Sequence, residues 1–101
     1  MRVFNLKKMK VYPYEERDKN VFYKAEEFKV RIIELPPDGK MPVCEMDSYV
    51  IFNIIKGSAE IMVNDEKAYI KEGESIITKP ATISMKTEEG VKIMGIQIMK
   101  K

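Results

Sequence analysis

The chain has 101 residues with a formal charge of +2, 45% hydrophobic and 34% charged side chains, one cysteine and no histidine. That length allows one domain, residues 1–101, whose core must form without an intrachain disulfide. With no imidazole, the usual zinc, copper and non-haem iron sites, Ser-His triads and imidazole acid–base chemistry are excluded.

Residues 1–27 are the least regular part of the chain. Residues 3–6 and 11–14 read as short strands, at a sheet edge or exchanged with a partner chain. Only residues 14–27 have room for a helix, and Asp18 to Asn20 count against it. From residue 28 the signal is period two with turn punctuation, which predicts strands. Phe28, Val30 and Ile32 alternate with Lys29 and Arg31. Pro36-Pro37-Asp38-Gly39 then turns the chain with preset φ values and a permissive glycine. Residues 49–55 form a second apolar run that stops at Gly57. Ala59, Ile61 and Val63 alternate with Ser58, Glu60 and Met62, and Asn64-Asp65 supplies a tight hairpin turn. The return strand places Ala68 and Ile70 on one face, with Lys67, Tyr69 and Lys71 on the other. Glu72-Gly73 leads into residues 75–78, Lys79-Pro80 interrupts, and residues 83–86 resume. Glu88-Glu89-Gly90 is the last turn, before residues 91–99. Short strands between Gly and Pro turns, with no repeat and no low-complexity tract, predict an all-β sandwich or barrel.

From Pro36 onward the spacing resembles the cupin family, small β-barrels of the jelly-roll type. The family's first motif opens and closes on glycines and carries His-x-His and a Glu between them. Its second motif starts on a glycine and carries Pro-x-Gly, a His and an Asn. Here Pro37-Asp38-Gly39 looks like the opening of the first motif and Lys56-Gly57-Ser58-Ala59-Glu60 like its close. Residues 57–63 and Lys71-Glu72-Gly73-Glu74-Ser75 are similar to the inter-motif hairpin and the glycine of the second. The resemblance covers residues 36–98 and implies a single cupin-like jelly-roll barrel.

The ligand positions of that pattern are replaced. Counted from Gly73, Lys79 stands at the proline position, Ala81 at the glycine, Ser84 at the histidine and Glu88 at the asparagine. The first motif admits two registers. Anchored on Gly57, its two histidines and glutamate become Cys44, Met46 and Val50. Anchored on Gly39, its histidines become Glu45 and Asp47. The Gly57 register is preferred, because the strand entering that glycine keeps register while the loop before it can lose a residue. It sets Cys44, Met46, Val50, Phe52 and Ile54 on one strand face as an apolar lining. Tyr49, Ile51, Asn53 and Ile55 opposite are also largely apolar, so a second sheet or another subunit covers them. A homodimer is therefore expected.

Cys44 and Met46 are soft donors suited to Cu(I), but without a third such donor they are better read as core packing. Glu45, Asp47 and Ser84 could join a hard-cation site, which calls for six or more oxygens; a solvated acidic segment is the simpler reading. Tyr49, Tyr69 and Ser84 have no base to activate them, and Met46, Met62, Met85 and Met94 divide between core and strand faces. The expectation is a non-catalytic, metal-free cupin-like protein with no cofactor. It would bind a small molecule of unknown identity against Cys44, Met46, Val50, Phe52 and Ser84, or act as a structural module. One alternative is a metal-dependent enzyme of the sugar-isomerase or dioxygenase kind, with a site from Cys44, Glu45, Asp47 and Ser84. Another is a homodimeric interaction module; the fold itself does not choose between them.

The 18 basic and 16 acidic residues are interspersed. Short basic pairs such as Lys7-Lys8 and Lys100-Lys101 do not make the concentrated face that nucleic acid requires. No apolar run approaches the ~20 residues of a membrane span, and residues 1–8 lack the apolar stretch of a signal peptide. A cytoplasmic protein is expected, with neither nucleic acid nor membrane as partner. Abundant Lys and Glu beside a single Gln, Gln97, fit a thermophilic source.

Overall fold

The computed structural model describes residues 1–99; Lys100 and Lys101 lie outside them. It contains eight antiparallel strands: β1 (Val21–Lys24), β2 (Phe28–Leu35), β3 (Lys40–Met46), β4 (Tyr49–Val63), β5 (Glu66–Lys71), β6 (Ser75–Thr78), β7 (Ala81–Lys86) and β8 (Val91–Ile98). They form two curled sheets that share β4. The first sheet runs β1-β2-β8-β4-β6, using the first half of β4. The second runs β3-β7-β4-β5, using its second half.

The apolar run expected to stop at Gly57 does not stop there, because β4 continues through it to Val63. The glycine is a corner and not a terminus. Its φ is +83°, and a Cβ there would lie 2.2 Å from the Gly90 carbonyl oxygen. Only a residue without a side chain lets these backbones approach so closely. On one side of the corner β4 pairs with β8 and β6, and on the other with β5 and β7. A register shift between Ile54 and Lys56 adds local twist just before the bend.

Local chemistry sets the turns. Asn64-Asp65 closes a two-residue hairpin between Val63 and Glu66, with Asn64 at φ +54°, as primed turns require. In the Pro36–Gly39 turn the Gly39 N–H donates to the Pro36 carbonyl at 2.8 Å. The left-handed conformation there falls on Asp38, at φ +62°, and not on the glycine. Gly39 is needed for space, since a Cβ would sit 2.7 Å from the Pro36 oxygen.

The N-terminal expectation requires correction. Residues 3–6 and 11–14 are not strands, and Tyr14–Asn20 forms a short 3-10 helix that leads into β1 at the sheet edge. The reason is that side chains, not a strand ladder, satisfy this backbone. The Asn20 amide accepts from the Tyr12 N–H at 2.8 Å and donates to the Tyr12 carbonyl at 3.0 Å. The buried Lys92 ammonium donates to the carbonyls of Lys7 and Met9 at 3.0 and 3.2 Å. The segment thus lies over the outer face of the first sheet, where Val30 and Ile32 share a side with Lys92 and are buried.

Between the sheets, Ile61, Ile83 and Ile93 are completely buried among Leu35, Phe52 and Met85. Burying each such side chain contributes about 1.5–3 kcal/mol. The rest of the first sheet's outer face, over β6, β4 and β8, is uncovered: Tyr49, Ile77 and Ile98 are 49%, 69% and 40% exposed. No helix of the described residues is long and apolar enough to cross a membrane.

Two glycines with the same backbone conformation separate strain from crowding. Gly73 has φ +86° but no atom within 4 Å of the position a Cβ would take, whereas Gly57 meets the Gly90 backbone. Gly73→Ala is expected to cost about 1–2 kcal/mol of left-handed strain. Gly57→Ala should cost on the order of 4 kcal/mol or abolish folding. Urea unfolding of the two variants compares them directly; equal losses would contradict the corner assignment.

Candidate ligand cavity

The space between the sheets is filled near the Gly57 corner and open at the far end. There a cavity of about 240 Å³ lies between opposing walls. Val50 and Phe52 of β4 contribute from the first sheet, and Met41, Cys44 and Met46 of β3 with Ile83 of β7 from the second. A bulge in β3 between Met41 and Cys44 gives these two and Met46 the partners Met85, Ile83 and Ala81 in turn, so all three project inward. The Cys44 Sγ lies 3.8 Å from the Met46 Sδ, a weak thiol–thioether contact at the open end. Tyr12, Tyr14 and Arg17 of the N-terminal segment close one side of the mouth.

Contrary to expectation, Cys44 and Met46 do not share a strand face with Val50, Phe52 and Ile54. Asp47 and Ser48 break the strand between them, and β3 and the first half of β4 belong to different sheets. The four residues Cys44, Met46, Val50 and Phe52 face one another across the cavity. Ser84 does not join them. It lies between the buried Ile83 and Met85 on β7, opposite Met62, and so points to the outer face of the second sheet.

The alternative donor set is not brought together either. Glu45 lies between the inward Cys44 and Met46, opposite Thr82, and faces away from the cavity. Asp47 is an exposed residue of the connection to β4. Among the described residues no three His, Cys, Asp or Glu side chains converge to hold a metal. The metal centre that the family resemblance implies does not fit the residues present.

Sequence reasoning missed Arg31, Met41, Gly95 and Gln97, which line the same cavity. Arg31 and Phe52 both lie opposite Gly95 in the sheet. A methyl at Gly95 would come within 3.2 Å of the Phe52 ring and 3.6 Å of the Arg31 Cγ. The signal that marks this wall is the Ile32-Ile33 pair, which shows that both faces of β2 are covered.

A separate charged cluster crosses the outer face of the second sheet. Glu60 is only 8% exposed and sits between Lys86 at 3.1 Å and Lys67 at 3.4 Å. The Lys86 ammonium and the Tyr69 hydroxyl, with Lys67 beyond them, hold the Glu60 carboxyl below its usual value, against the opposing effect of burial. Glu60 in turn raises the Lys86 ammonium. The cluster ties β5 and β7 to β4 and leaves no free group for chemistry.

No family model matches the chain, and no curated protein matches it in sequence. Solved structures match its fold. The cupin domain of Schizosaccharomyces pombe Cnp3 aligns at TM-score 0.71 and 21% identity, over 79% of this chain and 61% of that one. The chain thus spans less than two-thirds of that protein. A cupin-superfamily protein of Desulfitobacterium hafniense aligns at TM-score 0.74 and 11% identity, over 79% and 74% of the two chains. A Thermus thermophilus protein matches end to end, with TM-score 0.85, 17% identity and 100% of both chains covered. The chain has the all-β cupin fold.

The Glu60 cluster predicts a defined pH response. A carboxyl depressed in the folded state adds stability above its unfolded value of 4.5, and loses it as pH falls through the folded value. The raised Lys86 adds stability below 10.5 and loses it as pH rises through its own folded value. The melting temperature should therefore be flat near neutrality and fall on acidification below about pH 4.5. Glu60→Gln should lower the neutral plateau and flatten the acid limb. Superimposable melting profiles for the two proteins would contradict it.

Proposed function

We propose that this cupin-fold chain binds a small molecule in the cavity between its sheets, by shape and contact and without metal-assisted catalysis. The observation that carries the reading is the cavity wall itself: valine, phenylalanine, isoleucine and three sulfur side chains make up much of it, and among the described residues no three His, Cys, Asp or Glu side chains converge there. Apolar, concave and open on one side, it has the character of a ligand pocket more than of an unfilled core. Polarisable sulfur side chains adapt to varied apolar shapes. Cys44, Met46, Val50 and Phe52 would make these contacts; Ser84 takes no part.

Two measurements test this. After exposure to Cu(I), Fe(II), Mn(II) and Ni(II) and then desalting, elemental analysis should find far less than one metal per chain. One tightly held equivalent, lost in Cys44→Ala, would overturn the metal-free reading and favour the enzyme alternative. Added benzyl alcohol should shift the NMR signals of the Met41 and Met46 methyls and the Gly95 amide. Unmoved signals up to about 10 mM would remove the cavity as a site.

We further propose that a second copy of the chain covers the bare half of the first sheet's outer face. Tyr49, Ile51, Ile77, Ile96 and Ile98 form one apolar strip there, with Asn53, Ser75 and Met94 on the same side. These positions include no charged side chain, so the strip is complementary to itself across a two-fold axis. Light scattering at micromolar concentration should give the mass of two chains, and Ile77→Glu should give one with its melting temperature little changed. A wild-type mass of one chain would refute the dimer.

A further inference from the structure

We infer that the ligand of this cavity carries a carboxylate, and that the Arg31 guanidinium is its anchor; the inference rests on the cavity reading above. Arg31 is a half-buried cation on the inner side of β2. Lys29, two residues earlier on β2 and also half-buried, does not border the cavity, and other cations that touch the structure have partners. Arg17 donates to the Tyr14 carbonyl at 3.1 Å and lies 4.4 Å from the centre of its ring. Lys92 holds two backbone carbonyls, and Lys67 and Lys86 share Glu60. Among the described residues no hydrogen bond or ion pair uses the Arg31 side chain. Glu34, the acidic residue nearest along β2, is exposed and alternates to the other face, across from Lys92; it borders the cavity but makes no ion pair with Arg31.

A guanidinium held against an apolar wall without a counter-ion favours an anion, and its planar fork matches a carboxylate. Gly95 sets the guanidinium beside an aromatic ring. It lies between Phe52 and Arg31, and both side chains pack over it, so the aromatic ring and the cation share one wall, where a ligand body can lie against Phe52 while its acid group meets the guanidinium. Gln97, on the same side of β8 and opposite Val50, adds an amide donor near the acid. Across the cavity, Met41, Cys44 and Met46 offer only soft, weakly polar contacts, suited to a ring or a branched chain. At about 240 Å³ the cavity is below the ~300 Å³ at which drug-sized pockets begin. The ligand class is a small monocarboxylic acid with a single ring or a short chain, and not a nucleotide or a sugar phosphate.

Calorimetric titration with benzoate and hexanoate, beside benzamide and hexanamide, tests the anchor in the wild type, Arg31→Gln and Arg31→Lys. The acids should bind the wild type at least tenfold more tightly than their amides, the effect of a charge-assisted pair. Arg31→Gln should erase that advantage while benzyl alcohol still shifts the Met41 and Met46 methyl signals, which shows that the cavity has kept its shape. Arg31→Lys should restore part of it. Equal affinities of acids and amides in the wild type would overturn the anchor and leave the cavity reading standing, and so would an acid advantage that survives Arg31→Gln. If neither acids nor amides bind, and benzyl alcohol also leaves the NMR spectrum unmoved, both readings fall.

Discussion

The structure depends on one close approach of backbone to backbone, Gly57 against Gly90. Because Gly57 has no side chain to strike the Gly90 carbonyl, β4 can bend without ending and serve in both sheets. The corner is fastened from two directions. Ser58 donates to the Gly90 carbonyl at 3.4 Å, and on the other flank Glu72 donates to Gly57 and Gly73 to Ile54, each at 3.0 Å. The sheets diverge from this point, which explains where the interior is full and where it is open. Near the corner Ile54, Ala59 and Val91 belong to one buried cluster. Farther along, the walls separate and the cavity begins.

How much of this the sequence discloses depends on how local each cause is. Asn64-Asp65 is legible as a hairpin turn because the two residues carry the required conformation themselves. Gly73 and Gly90 are legible as turns for the same reason. Gly57 is misread as a stop, because a glycine at a strand end and a glycine at a strand corner look alike until its neighbour is known. The N-terminal segment is misread because its order comes from Asn20 and Lys92, the second of them more than eighty residues distant along the chain. Alternation along β2 shows two faces without saying which one looks inward. That ambiguity hides Arg31, because Val30 and Ile32 look like the core side until residues 1–20 are seen to cover them.

The candidate site is half legible for a related reason. Cys44, Met46, Val50 and Phe52 read as the inward positions of a single strand, although they lie on facing walls. A face of one strand makes a lining; two faces in opposition make a container. Ser84 is singled out by counting from a motif whose spacing this chain does not keep, and the period of β7 turns it to the other side. The residues standing at the positions counted from the cupin motif therefore leave a wall of hydrocarbon and sulfur, with a few polar groups at its border.

The way Lys92 is held has a consequence for how the molecule comes apart. Its ammonium is buried and is held by two peptide oxygens of the N-terminal segment. Stripping that segment away would expose the ammonium to water together with Val30 and Ile32. The charge is then hydrated, so losing its two hydrogen bonds costs little, and what holds the cover down is the apolar pair beneath it. Local opening should therefore begin with residues 1–20, before the sheets themselves separate, and a protease would find its first foothold there.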